Sequence, residues 1–271
     1  MVGDMLYQRA GCAPRSLDRC RYDGSRLLFR GPRRRLEGEY VACLGGTETF
    51  GKYVAHPYPD LLEGLTGITC VNFGWPNAGV DVFANDRALL DCAGRARLCV
   101  LQVPCAVNMS NRYYRVHPRR NDRFLTATEP LEELFGEVDF TEFSFTRHML
   151  GRLQAVSPDR FTRLRAELAG AWVAGMKTLI TRIGAPVVLL WLSARAPDEG
   201  ADRPDIGADP ALVNGEMLAA LRGHVEDLVE IPIAEVPQAP GRAGPRDALD
   251  PATHERAAQA LVPAVARLLH G

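Results

Sequence analysis

The chain has 271 residues, of which 46% are hydrophobic, and a formal net charge of −1. Length and apolar content support a substantial buried core, arranged as one large α/β domain or two small ones. The near-neutral balance excludes a global electrostatic attraction to nucleic acid or to a membrane surface, so recognition of charge has to come from local patches.

In chain order, residues 1–36 carry nine arginines against Asp4, Asp18 and Asp23, ending in Arg30-Gly-Pro-Arg-Arg-Arg35. This reads as a basic arm packed on the domain, with a short hairpin around Ser25–Arg30. Apolar runs at 40–44, 68–73, 97–104, 186–192 and 228–233 then read as strands. The intervals 52–65, 79–92, 157–183, 210–223 and 251–269 carry helical periodicity, the third opening with Ser157-Pro158 and the last with Asp250-Pro251 as cap and first-turn proline. Such alternation predicts a three-layer α/β/α domain over 37–271 with a mostly parallel five-stranded sheet. An Arg- and aromatic-rich insertion at 105–156 reads as a lid or substrate wall. Two further excursions, Ser193–Asp209 and Pro237–Asp250, read as loops.

Seven cysteines include no C-x-x-C pair, and Cys43, Cys70 and Cys99 lie inside apolar strands, which fits free thiols in a reducing compartment. The N-terminus has no basic region followed by a long apolar core, and no window has the roughly 18 apolar residues of a membrane span. A cytoplasmic location is the expectation.

The most telling segment is Gly45-Gly46-Thr47-Glu48-Thr49-Phe50-Gly51, a glycine-rich turn directly after the first main strand. Such a turn directs backbone N–H groups and small hydroxyls outward, useful for holding an anion or an oxyanion. In the common doubly wound order 2-1-3-4-5, the loops after strands one and three flank the switch point where open α/β sheets bind ligands. That order brings Thr47, Asn108, the loop Asn72-Phe-Gly74-Trp-Pro-Asn77-Ala-Gly79 and His254 to one rim. The alternative reading is local structure: Thr47 or Thr49 capping a helix, Asn72 and Asn108 fixing loops, and His254 as an ordinary helix residue.

This arrangement resembles the SGNH, or GDSL-like, hydrolase superfamily of esterases, lipases and acyl-group transferases, over roughly residues 40–270. The family's first block, G-D-S-x-x-x-G, is similar to Gly45–Gly51, with Gly46 in place of Asp and Thr47 in place of the nucleophilic Ser. The resemblance implies an oxyanion N–H from Gly74 or Gly79, an oxyanion side chain from Asn108 or its rival Asn111, and a base from His254. The segment Asp250-Pro-Ala-Thr-His254 is one residue longer than the family's Asp-x-x-His, so Asp250 also fits a helix cap. A secondary alcohol is more crowded than serine, because its γ-methyl restricts χ1 and the approach to a carbonyl. The whole chain also resembles a bacterial domain-of-unknown-function family carrying the same R-G-P-R-R-R, G-G-T-E-T and N-M-S-N-R segments.

Asn111–Phe124 interleaves five arginines with three aromatic residues. Arginine forks suit phosphate, sulfate or carboxylate, although a solvated or internally paired face explains the same composition. Only Lys52 and Lys177 are lysines, a compositional bias that lowers the weight of any one Arg cluster. Cys105 is an alternative nucleophile without a named base, and His56 and His148 read as structural. No motif points to a metal or nucleotide cofactor.

The sequence therefore predicts an esterase or acyltransferase acting on an anionic or sugar-like substrate, with no cofactor and no nucleic-acid partner. Thr47, His254, Gly79 and Asn108 would be catalytic. Gly45, Gly46, Glu48, Thr49, Asn72, Gly74, Asn77, Asn111, Arg112, Arg119, Arg120 and Arg123 would bind ligand. The rivals are a transferase that holds a phosphorylated or sulfated donor without covalent catalysis, and a non-catalytic binding or scaffold protein on a hydrolase fold.

Overall fold

The structure is a computed structural model describing residues 18–199, 206–233 and 249–270. Residues 1–17 of the basic arm, and most of the Pro237–Asp250 excursion, lie outside the described residues. Within the arm, β1 (Arg19–Cys20) pairs antiparallel with β2 (Phe29–Arg30). The main strands are β3 (Tyr40–Gly45), β4 (Thr69–Gly74), β5 (Leu98–Gln102), β8 (Val187–Ser193) and β9 (Asp227–Pro232). They form one parallel sheet in the order β4-β3-β5-β8-β9, the doubly wound order expected from the alternation of elements.

Strand residues divide between the two faces with period two, as a pleated strand requires. Val41, Cys43, Val100, Val188 and Leu190 pack under α2 (Tyr58–Thr66) and α9 (Pro251–His270). Ala42, Leu44, Cys99, Leu101, Leu189 and Trp191 pack under α3 (Val80–Ala84), α4 (Arg87–Gly94) and the C-terminal half of α7 (Pro158–Ile183). Both faces are covered, which is why the strands read as unbroken apolar runs.

Three expected helices differ from what forms. The predicted helix over 52–65 starts only at Tyr58, after Pro57, and is preceded by the short α1 (Thr47–Phe50), which Gly51 ends at φ 68°. The 79–92 stretch splits in two because Asp86 caps a second helix, accepting Leu89 N–H at 2.9 Å. The 210–223 stretch shrinks to α8 (Gly215–Ala219), which Asn214 caps, followed by one 3₁₀ turn at Arg222–His224.

The insertion has its own apolar centre. Its hairpin, β6 (Tyr114–His117) and β7 (Arg120–Ala127), packs with α5 (Glu129–Leu134) and α6 (Thr146–Val156) through Tyr114, Phe124, Leu131 and Leu150. Phe161, Leu164 and Leu168 from the first half of α7 complete that cluster, so one 26-residue helix serves two cores.

Candidate functional site at the sheet edge

The C-terminal ends of β3, β4 and β5 meet where the strand order reverses, the place where open α/β sheets take ligands. Gly45 stands beside Gly74 in register, and a Cβ on Gly74 would lie 2.3 Å from Phe50 N, so only glycine lets α1 close on β4. From β5, Gln102 Oε1 accepts from Gly46 N–H at 3.0 Å, Thr49 N–H at 3.3 Å and the Thr49 hydroxyl at 2.6 Å. Its Nε2 donates to Glu48 Oε2 at 2.7 Å. Asn72 lies beneath the same turn, donating to Thr49 O at 2.7 Å and accepting from Gly74 N–H at 2.9 Å. Gly46, Glu48, Thr49 and Asn72 are therefore bonded within the turn, and two of the backbone N–H groups expected to face a ligand are satisfied by Gln102 instead.

Thr47 is the half-exposed hydroxyl of the turn. It donates to Asn77 Oδ1 at 3.3 Å and accepts from Asn77 N–H at 3.2 Å. Asn77 adopts φ 57°, the left-handed region that asparagine tolerates better than most residues. Its Nδ2 donates to Asp122 Oδ2 at 3.2 Å. Asp122 is a site residue the sequence reading missed. It sits in the Arg-rich run, and its approach to Asn77 depends on the hairpin folding back over the β4 loop, which Trp75 secures by donating Nε1–H to Arg119 O at 2.6 Å.

Asn108 is buried, and its Oδ1 accepts from Thr146 Oγ1 at 3.1 Å, so the end of its amide left for a ligand is the donor Nδ2. Gly79 packs against the same loop so closely that a Cβ would lie 1.6 Å from Asn108 O. The Gly79 N–H, expected as an oxyanion donor, is bonded to Asn121 Oδ1 at 2.9 Å, which also takes Val82 N–H at 3.1 Å. Asn111, the rival of Asn108, works inside its own turn, accepting from Tyr113 N–H and Tyr114 N–H and donating to Met109 O.

His254 is only 2% exposed, in the first turn of α9. Its Nδ1 accepts from Tyr58 N–H at 3.2 Å, and its ring lies nearly parallel to that of Tyr58. Burial pulls its pKa down to about 4, so the imidazole is neutral near pH 7. With Nδ1 accepting, the neutral ring carries its proton on Nε2 and presents no acceptor nitrogen to Thr47. Asp250 caps α9, accepting from Thr253 N–H at 3.1 Å and from the Thr253 hydroxyl at 2.6 Å.

Arg115 donates to the main-chain carbonyls of Asn111 and Tyr114, but the arginines of the Asn111–Phe124 run form no ion pairs among the described residues. Arg112, Arg119 and Arg120 are exposed. Arg123 stacks 4.0 Å over the ring of Phe145, with its Nε buried and lacking a hydrogen-bond partner among the described residues. Further along the rim, Cys105 donates its thiol proton to Asp209 Oδ1 at 2.7 Å beside Arg147. Burial and the Asp209 charge push the thiol well above its ordinary pKa, which keeps it protonated and weakly nucleophilic.

Sheet order and the converging loops define a doubly wound α/β protein with a polar rim at its switch point. Residues 5–269 match the family described as Domain of unknown function (DUF6473), and the chain belongs to that family. No curated protein is significantly similar in sequence. Among solved structures, the chain is similar to a protein assigned to the G-D-S-L lipolytic family from Desulfitobacterium hafniense DCB-2, at 12% identity and TM-score 0.44, covering 83% of this chain and 99% of that one. It is also similar to a lipase from a goat rumen metagenome, at 10% identity and TM-score 0.41, covering 84% of this chain and 97% of that one. Among the described residues no helix is long and apolar enough to cross a membrane.

Proposed function

We propose that this protein binds an anionic or sugar-like small molecule at the C-terminal edge of its sheet and acts on it without a covalent enzyme intermediate, as a transferase or hydrolase does when Thr47 holds the substrate rather than attacking it. The observation that carries this reading is the pairing of Thr47. Its hydroxyl is bonded in both directions to Asn77, while the neutral His254 has Nδ1 engaged by Tyr58 N–H and its proton on Nε2. A threonine nucleophile needs a base that accepts its proton in the transition state, and an amide oxygen is too weakly basic for that role. Five arginines without ion pairs among the described residues supply positive potential at the hairpin, which favours an anionic group on the ligand.

An esterase or acyltransferase with Thr47 as nucleophile, Asn108 as oxyanion donor and His254 as base is the second reading. It is favoured by the half-exposed Thr47 hydroxyl and by the way Thr146 orients the Asn108 amide. Hydrolysis of p-nitrophenyl acetate by the wild type, Thr47→Ala and His254→Ala separates the two, each variant being checked for unchanged folding. Non-covalent action predicts no turnover that depends on Thr47, together with ligand-induced thermal stabilisation that weakens in Thr47→Ala. Turnover lost in both variants would establish the nucleophilic reading instead.

A further inference from the structure

Resting on the reading that this edge binds an anionic ligand, we propose that Asp122 is a specificity-determining residue whose carboxylate accepts a hydrogen bond from a ligand hydroxyl, making the preferred ligand a polyhydroxylated organic anion such as a sugar phosphate or sugar acid. Asp122 stands in β7 with Arg119, Arg120 and Arg123 as sequence neighbours, yet it forms no ion pair among the described residues. Its carboxylate turns to the amide of Asn77, which engages Oδ2 at 3.2 Å. Oδ1 has no partner among the described residues, and it is not among their sealed, unbonded polar atoms.

An ionised carboxylate accepts at both oxygens and donates nothing, so the free oxygen selects for a donor on the ligand. A second anionic group there would be repelled, whereas a hydroxyl forms a charge-assisted bond. The Asp122 main chain lies against the same group: the single Thr146 hydroxyl proton is shared between Asn108 Oδ1 at 3.1 Å and the more distant Asp122 O at 3.4 Å. The acceptor Asp122, the hydroxyl of Thr47 and the donor amide of Asn108 thus belong to one hydrogen-bonded set that Asn77 and Thr146 complete, drawn from five separate segments of the chain. Donors and acceptors of that kind suit a ring of hydroxyls, and the exposed guanidinium groups of Arg119 and Arg120 suit the anionic end.

The test is isothermal titration of the full chain with glucose 6-phosphate and gluconate, against glucose and inorganic phosphate, in wild type, Asp122→Asn and Asp122→Glu. Circular dichroism and thermal melting report whether each variant is folded. The proposal expects a polyhydroxylated anion to bind more tightly than phosphate. It also expects that advantage to fall by roughly tenfold or more in Asp122→Asn, with phosphate binding unchanged, and to return in part with Asp122→Glu. Equal binding of phosphate and the hydroxylated anions, or an Asp122→Asn variant that still prefers the latter, would overturn the hydroxyl contact while leaving the anion site standing. Binding of none of the four compounds would overturn both.

Discussion

Gln102 and Thr49 are joined by a 2.6 Å hydrogen bond from the threonine hydroxyl to the amide oxygen, buried at the junction of β5 and α1. That oxygen also takes two backbone N–H groups of the glycine turn, so one side chain from the third main strand sets the shape of the loop after the first. Replacing Gln102 by Leu keeps its bulk but leaves those donors unpaired. The expected loss is about 2–4 kcal/mol of unfolding free energy, measurable as a lower urea midpoint.

Gly79→Ala tests the packing of the neighbouring loops. The added methyl would meet Asn108 O at 1.6 Å, and that atom is main chain, so the 105–108 segment has to shift. A destabilisation of about 1–3 kcal/mol is expected, with ligand-induced stabilisation lost. An alanine variant that melts and binds like wild type would contradict the close approach.

His254 gives a pH dependence with a defined sign. Its pKa falls from 6.5 in the unfolded chain to about 4 in the fold, so the unfolded state binds the proton first as pH falls. Its contribution is complete above about pH 6.5 and is lost progressively towards pH 4, by up to about 3 kcal/mol. A His254→Gln variant should flatten stability across that window in denaturation curves collected at successive pH values.

Arg123 is expected to trade stability for recognition. A buried donor without a partner costs about 1–3 kcal/mol relative to a bonded one. Arg123→Met retains an extended side chain over Phe145 and removes the unpaired Nε, so its melting temperature should equal or exceed that of wild type. Arg119→Ala and Arg120→Ala are exposed changes that should leave stability within about 0.5 kcal/mol. They should nonetheless weaken anion binding and reduce its salt dependence.

The sheet was legible because each main strand is covered on both faces and therefore reads as a continuous apolar run, with Gly45–Gly51 marking the first strand end. Convergence of Thr47 and Asn77 followed from the strand order. The residues that bond this rim together left no such trace. Gln102 lies inside the run read as the strand 97–104, Asn121 and Asp122 look like polar neighbours of arginine, and Thr146 is one polar residue of the 105–156 insertion. The bonds that tie them to the other rim segments span 24 or more residues in sequence, and no local period encodes such a contact. The tautomer of His254 was equally illegible, since it is set by a backbone N–H from α2.

Because α7 contributes to the core under the sheet and to the core of the insertion, the two bodies share a continuous, hydrogen-bonded beam. Swinging the whole insertion outward would require breaking that helix or exposing Phe161, Leu164 and Leu168 to water, so it cannot act as a hinged door. Entry to the rim is left to motion of the β6–β7 tip, held to the sheet-side loops through Trp75 and Asn77. Hydrogen exchange should therefore be fast at His117–Arg120 and slow through the middle of α7, with ligand slowing the former alone.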